Sequence, residues 1–292
     1  MTPDEFTQSL NSSETIRQDI CNENYFLNKP MSVHRLKHKY PQNDIEWGYY
    51  LAGLIDADGS FTDIRQNTPN LTICFHLKDI SLAYKIKQFL RYGQVTKIKN
   101  KQACKYVLTN SKGFKFLLPL LNGKFKHKIK KQRYFLFCRY YGVVLVASRG
   151  DKNNNPLSNN HWLAGFIDGD GSLQIKIYQR KNKFEIRLQL QIDQHNDYVY
   201  LLKNIKNEFG GNIYQRKMQP SSYYNSTSFQ VYKKFINYLE HFQLCSNKYK
   251  EYVIWKRAYF YRKDVEKIKK FKKTLIVIIT NIWSSPLCGE NS

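Results

Sequence analysis

The chain has 292 residues, with 47 Lys+Arg against 23 Asp+Glu (formal charge +24), 42% hydrophobic and 15% aromatic residues. That is about two domains' worth of chain, too apolar for a disordered basic tail and able to bury a sizeable core. Its most apolar stretch, Leu275 to Ile279, is too short to span a bilayer, so the charge surplus predicts a polyanionic partner: nucleic acid first, an anionic membrane surface second.

Residues 1–44 form an N-terminal extension that carries Asp4, Glu5, Glu14, Asp19 and Glu23 and has no apolar core. It reads as neither a secretory signal nor an acid-poor transit peptide. His34 and His38 have the i, i+4 spacing of a metal pair, but they lie in a basic stretch without an acidic partner and are not read as ligands. The organising feature comes next. Trp47-Gly-Tyr-Tyr-Leu-Ala-Gly-Leu-Ile-Asp-Ala-Asp-Gly-Ser-Phe61 recurs as His161-Trp-Leu-Ala-Gly-Phe-Ile-Asp-Gly-Asp-Gly-Ser-Leu173, with Asp58 and Asp170 in matching places 112 residues apart. The likeness continues downstream, where Leu71–Leu77, Tyr84–Tyr92 and Phe114–Leu121 answer Ile186–Ile192, Tyr198–Phe209 and Phe235–Phe242. The expected boundaries are a first repeat at 45–146, a polar turn-forming linker at 147–158, a second repeat at 159–263 and a tail at 264–292.

Each copy predicts helix, strand, strand, helix, strand, strand, helix, helix. In the second copy Leu173, Ile175 and Ile177 alternate with Gln174, Lys176, Tyr178 and Arg180; Ile186, Leu188, Leu190 and Ile192 alternate with Arg187, Gln189 and Gln191. Strict alternation means a sheet with one dry and one polar face, and the polar side chains suit base edges and phosphates. The first copy is less regular, because the expected strand Phe61–Gln66 puts Asp63 where the second has Ile175, so that either a bulge rephases this strand or its register differs. Thr72, His76 and Asn70 fall on the polar side of its next strand.

The motif helices carry small residues at mid-length, Ala52 and Gly53 in one and Ala164 and Gly165 in the other. A glycine inside a helix costs about 1 kcal/mol relative to alanine, and the close packing of one motif helix on the other is a reason to bear it. Each helix ends in Asp-x-Asp-Gly, where Gly59 or Gly171 is expected to adopt a left-handed cap. Four acids (Asp56, Asp58, Asp168, Asp170) crowded at negative helix ends are costly unless a divalent cation compensates, and hard oxygen donors point to Mg²⁺. Beneath a basic sheet, that combination points to phosphodiester hydrolysis.

Leu51-Ala-Gly-Leu-Ile-Asp-Ala-Asp-Gly59 spells the signature of the LAGLIDADG homing endonucleases, and Leu163-Ala-Gly-Phe-Ile-Asp-Gly-Asp-Gly171 is a variant of it. The chain therefore resembles the single-chain, two-repeat branch of that family encoded in group I introns. The resemblance implies an α+β fold of two pseudo-symmetric αββαββα halves, with a packed central pair of motif helices. Its antiparallel β-sheets would form a saddle over a long, asymmetric double-stranded DNA target. It implies that Asp58 and Asp170 coordinate the metals with help from the carbonyls of Ala57 and Gly169, while Asp56 and Asp168 are structural. The two strands would be cut across the minor groove, leaving 3′ cohesive ends. Family members also carry one lysine per half near the metal. Lys248 fits that pattern, with Tyr252 and Trp255 four and seven residues on; in the first copy Lys130, followed by Tyr134 and Phe137, is preferred to Lys128 or Lys126.

Family members act as DNA endonucleases in intron mobility, as RNA maturases that help a group I intron splice, or as both. A basic surface serves RNA as well as DNA, so both readings stay open. A transcription regulator on a decayed scaffold is disfavoured, because both eighth-position acids are present. Monomeric action is expected, since the duplication supplies both halves. The six cysteines lie far apart and read as reduced thiols. Lys outnumbers Arg 35 to 12, which suits an AT-rich organelle genome, a mitochondrion before a chloroplast. The tail run Lys269–Lys273 reads as a solvated helix end, and no Gly-rich phosphate loop or Gly-x-Ser-x-Gly is present.

Overall fold

The computed structural model describes residues 39–64, 68–144, 155–180 and 183–261. His34, His38, Cys21, Cys288 and the run Lys269–Lys273 lie outside the described residues, as does the side chain of Arg180.

The first half opens with α1 (Asp44–Asp58), which starts where Asn43 accepts from the amide of Glu46 at 2.9 Å and Glu46 Oε2 accepts from the amide of Gln42 at 2.7 Å. This side-chain cap satisfies donors that a helix start leaves open. After α1 come β1 (Gly59–Phe61), β2 (Leu71–His76), a 3₁₀ turn (Leu77–Asp79), α2 (Ile80–Leu90), β3 (Gln94–Lys97), β4 (Ala103–Leu108), α3 (Ser111–Leu121) and α4 (Lys128–Tyr140). The second half repeats the order after a 3₁₀ turn (Leu157–Asn159). It runs α5 (Trp162–Asp170), β5 (Gly171–Arg180), β6 (Lys183–His195), a 3₁₀ turn (Asn196–Tyr198), α6 (Val199–Phe209), β7 (Asn212–Gln215), β8 (Ser221–Asn225), α7 (Phe229–His241) and α8 (Lys248–Tyr261).

Each half holds one four-stranded antiparallel sheet of the same topology, β1-β2-β4-β3 and β5-β6-β8-β7. In the first, Leu71, Ile73 and Phe75 of β2 and Cys104, Tyr106 and Leu108 of β4 are buried, while Cys74, His76 and Lys105 are exposed. The dry face packs on α2, and α3, with Phe114, Leu117 and Leu118 buried, packs on α1 and α2. In the second sheet Leu190, Ile192 and Tyr224 are buried, and Phe209 of α6 stacks on Phe235 of α7 at 4.5 Å. The likeness of the halves reaches single bonds. Tyr106 Oη donates to the carbonyl of Tyr92 and Tyr224 Oη to that of Gly210, both at 2.8 Å; Tyr134 Oη donates to the carbonyl of Leu118 and Tyr252 Oη to that of Ile236.

The strand expected over Phe61–Gln66 ends at Phe61. Thr62 closes the turn instead: its amide donates to the carbonyl of Asn70 at 3.0 Å and its hydroxyl accepts from the amide of Asn70 at 2.9 Å. Asp63 therefore lies beyond the strand and needs no bulge. Contacts divide the described residues into two compact units, one within Lys37–Gln174 and Gln189–Tyr252, the other within Ile175–Leu188 and residues 253–261. The first unit contains both motif helices. Among the described residues, no helix is long and apolar enough to cross a membrane.

Candidate active site

Nine of the fifteen residues of α1 are buried, from Trp47 to Asp56, and so are seven of the nine residues of α5, from Trp162 to Asp168. Helices this enclosed have no solvent stripe; each lies against the other. The closest approach is at the glycines. A β-carbon on Gly53 would stand 1.9 Å from the carbonyl oxygen of Trp162, and one on Gly165 would stand 2.1 Å from that of Tyr50. Ala52 and Ala164 are fully buried beside them.

Neither helix ends in a left-handed cap. Gly59 has φ −81° and Gly171 φ −79°, both extended, because β1 and β5 begin at these residues without an intervening turn. Glycine serves here through its missing side chain: a β-carbon on Gly59 would meet Ile55 Cα at 2.6 Å.

Nor do the four acids crowd together. Asp168 accepts from Tyr50 Oη at 2.7 Å, the amide of Cys245 at 2.7 Å, the amide of Ser246 at 3.3 Å and Ser246 Oγ at 2.5 Å. Asp56 accepts from the amides of Lys126 at 2.8 Å and His127 at 3.2 Å and from Trp162 Nε1 at 2.9 Å. Burial raises both carboxyls, Asp56 to about 7, and these hydrogen bonds hold them back. The sixth-position acids thus tie each motif helix to the start of its own half's last helix, and each takes one bond from an aromatic residue of the other motif helix.

Asp58 and Asp170 remain as a pair. The Asp58 carboxylate oxygen lies 3.2 Å from where a β-carbon on Gly169 would stand, and Ala57 is closer still to that point. Burial raises Asp58, against the nearby ammonium groups of Lys248 and Lys130. Burial raises Asp170 to about 7, and the neighbouring Asp58 charge adds to the rise. Gln194, which donates to Asp170 Oδ2, and the same two lysines oppose it. Among the described residues, no group of three or more His, Cys, Asp or Glu converges as a metal cluster.

The lysines are arranged unequally. Lys248 Nζ donates to the carbonyls of Ile167 at 3.0 Å, Asp168 at 2.9 Å and Gly169 at 2.6 Å, and so caps the end of α5. Lys130 Nζ donates to the carbonyl of Gly59, one step past the end of α1. Burial lowers both ammonium groups, and Asp58 and Asp170 act on each in the opposite sense. Lys128 is exposed, with its ammonium over the ring of Tyr200 at 5.0 Å, and Lys126 lends its backbone amide to Asp56.

The residues read as nucleic-acid contacts lie on β2, β5 and β6. His76, Lys176, Tyr178 and Arg187 are exposed; Thr72, Gln174, Gln189 and Gln191 are half-buried. The Arg187 guanidinium lies over the ring of Tyr178 at 4.8 Å, and Gln189 Nε2 donates to Gln191 Oε1 at 3.1 Å.

Gln194 is a site neighbour that sequence reasoning missed, although a signal existed. It continues the dry phase Leu188, Leu190, Ile192 of β6 with a polar side chain, whereas β2 has Phe75 there. Ile73 pairs with Tyr106 as Ile192 pairs with Tyr224, so Leu71–His76 matches Leu190–His195, four residues on from the match expected from the sequence. Tyr50 and Trp162 were missed without any such signal.

A family model described as LAGLIDADG endonuclease matches residues 51–141 and again 163–259. The chain belongs to this family. It is 45% identical over 252 residues to an uncharacterized 37.2 kDa protein of cox1 intron 2 in Schizosaccharomyces pombe, covering 85% of this chain and 74% of that one. It is 26% identical over 260 residues to the intron-encoded RNA maturase bI4 of Saccharomyces cerevisiae, covering 86% of this chain but only 39% of the maturase. Among solved structures, the meganuclease I-SmaMI bound to uncleaveable DNA superposes with a TM-score of 0.62 at 22% identity, over 77% of this chain and 96% of that one. The fold is thus α+β in two halves, each an antiparallel four-stranded sheet flanked by helices. It is a fold of LAGLIDADG endonucleases, a family that uses divalent metal ions.

Proposed function

We propose that this chain is a Mg²⁺-dependent, site-specific DNA endonuclease that cuts both strands of a long asymmetric target and so starts the mobility of its own intron. The observation that supports this most is the pairing of Asp58 and Asp170 where α1 and α5 end, with Lys130 and Lys248 bearing on both. Two neighbouring carboxylates, both raised by desolvation and Asp170 further raised by the Asp58 charge, form beside helix-end carbonyls a hard oxygen donor set whose charge a divalent cation offsets. The residues present therefore fit Mg²⁺. Asp58 and Asp170 would hold it, with the carbonyls of Ala57 and Gly169. When bound, the metal lowers the pKa of water and stabilises a leaving oxygen.

The chain's own groups supply the rest. Lys130 and Lys248, held by backbone carbonyls, keep positive charge where a phosphodiester gains negative charge, and they orient the attacking water. Asp56 and Asp168 lock the motif helices so that the eighth-position acids stay in place. Thr72, His76, Gln174, Lys176, Tyr178, Arg180, Arg187, Gln189 and Gln191 contact bases and phosphates from the sheet faces. The DNA seen with I-SmaMI supports a duplex partner, the two repeats support action as a monomer, and the cox1-intron relative supports placement in a mitochondrion.

The test is incubation of purified protein and Mg²⁺ with a duplex made by joining the exons that flank its gene. Double-strand cuts near the junction, lost with Ca²⁺ or with Asp170→Asn, are expected. The second reading, an RNA maturase, is favoured by the bI4 likeness across most of this chain. Tight binding of intron RNA with no cutting of any duplex would replace the first reading by the second.

A further inference from the structure

Three consecutive amides open each lysine-bearing helix, and they are used alike. In the second half the amides of Cys245 and Ser246 go to Asp168; in the first, those of Lys126 and His127 go to Asp56. The third amide leaves its own half. Asn247 N donates to Asp79 Oδ1 at 2.7 Å, and Lys128 N donates to Tyr200 Oη at 2.8 Å. Asp79 comes from the first half's 3₁₀ turn, and Tyr200 from the first turn of α6 in the second half.

Asp79 stands at the N-cap of α2, where an aspartate ordinarily accepts from its own helix, yet it makes no such bond. It is buried, and its carboxylate serves the opposite half. The neighbouring contacts reinforce the same junction. Asn247 Nδ2 donates to the carbonyl of Lys78, and Lys78 Nζ meets Glu251 Oε1 at 3.3 Å. On the other side, the ring of Tyr198 packs on that of His127 at 4.2 Å.

Asn247 immediately precedes Lys248, and Lys128 stands two residues before Lys130. A shift of about 1 Å in a catalytic group can cost a hundredfold in rate, so an anchor at this point sets where each ammonium lies. We propose that Asp79 and Tyr200 are positioning residues acting across the two halves: Asp79 aims Lys248, and Tyr200 aims Lys130. The inference rests on the endonuclease reading. Each half's chemistry is thereby made conditional on the other half being folded in place.

The experiment follows each strand of the target separately, with the full chain and Mg²⁺ in single-turnover conditions. Asp79→Ala is expected to slow, by about tenfold or more, the same strand that Lys248→Met slows, leaving the other within about twofold, so that nicked duplex accumulates. Tyr200→Phe is expected to slow the other strand. Asp79→Asn, which keeps an oxygen acceptor, should recover most of the lost rate. Equal slowing of both strands, or no slowing of either, overturns the proposal. Failure of the unsubstituted protein to cut any duplex would count against the endonuclease reading, and amide exchange then decides the anchor. Asp79→Ala must speed exchange at Asn247 while leaving Lys128 unchanged; unaltered exchange at Asn247 overturns it.

Discussion

Tyr50 of α1 donates its hydroxyl to Asp168 of α5 at 2.7 Å, and Trp162 of α5 returns the exchange by donating Nε1 to Asp56 of α1 at 2.9 Å. Each motif helix thus satisfies the buried acid of the other. Tyr50→Phe keeps the ring and removes the bond, leaving Asp168 one donor short in a site closed to water. A loss of about 1–3 kcal/mol in unfolding free energy is expected, read as a lower urea midpoint at unchanged slope. A midpoint equal to that of the unsubstituted chain would remove this bond from the stability of the pair.

The glycines at the crossing make a sharper case. Neither Gly53 nor Gly165 leaves room for a methyl group, and what it would strike is backbone, which cannot rotate away. Gly53→Ala and Gly165→Ala should each cost about 3 kcal/mol, because α1 and α5 must separate to admit it. Gly142→Ala is the control. That residue has φ +64° with nothing within 4 Å of an added β-carbon, so only the left-handed backbone strain of about 1–2 kcal/mol applies. Melting temperatures that rank Gly142→Ala below Gly53→Ala would contradict the packing argument.

Much of this arrangement was legible because it is periodic. Alternation in Leu188–Ile192 marks a strand with a dry face, and the duplicated nonamer marks two helices with small residues at the same height. What was not legible is what periodicity does not encode. Asn247 and Asp79 lie 168 residues apart and meet through one backbone amide and one carboxylate, which leaves no pattern along the chain. The glycine caps misled for a different reason. Asp-x-Asp-Gly resembles a left-handed helix stop, but Gly59 pairs with Ile73 as the first residue of β1, and pairing demands extended backbone. The sheet overrode the local preference.

His127 gives the fold a pH dependence of its own. Its ring is buried against Tyr198, and burial, with the nearby Lys130 charge, lowers its pKa from 6.5 to about 4. Between those values the unfolded chain holds a proton on this ring that the folded chain does not, so stability falls as pH drops through that window and is fully present above 6.5. The raised carboxyls of Asp56 and Asp170 act in the opposite sense, which makes the informative quantity a difference between variants. His127→Asn keeps a capping oxygen at the start of α4 and removes the titrating ring. Its urea midpoint should fall less than that of the unsubstituted chain between pH 7.5 and pH 5; parallel falls would rule the ring out.

Asp170 carries the corresponding prediction for activity. Its carboxyl is raised to about 7, and the Gln194 bond is among the contacts that keep it from rising further. A hydrogen bond to the charged form favours that form, so Gln194→Leu should raise the carboxyl. A proton on Asp170 competes with any cation there, so the Mg²⁺ needed for half-maximal cleavage should climb as pH falls through 7. In Gln194→Leu the climb should begin at a higher pH. Phe75 occupies the matching place under the first sheet and makes no such bond to Asp58, so Phe75→Leu should leave the Mg²⁺ profile where it was. Cleavage titrations with Mg²⁺ at intervals from pH 6 to pH 9 separate the two. A Gln194→Leu profile that coincides with that of the unsubstituted chain would show that Gln194 only fills space beside Asp170.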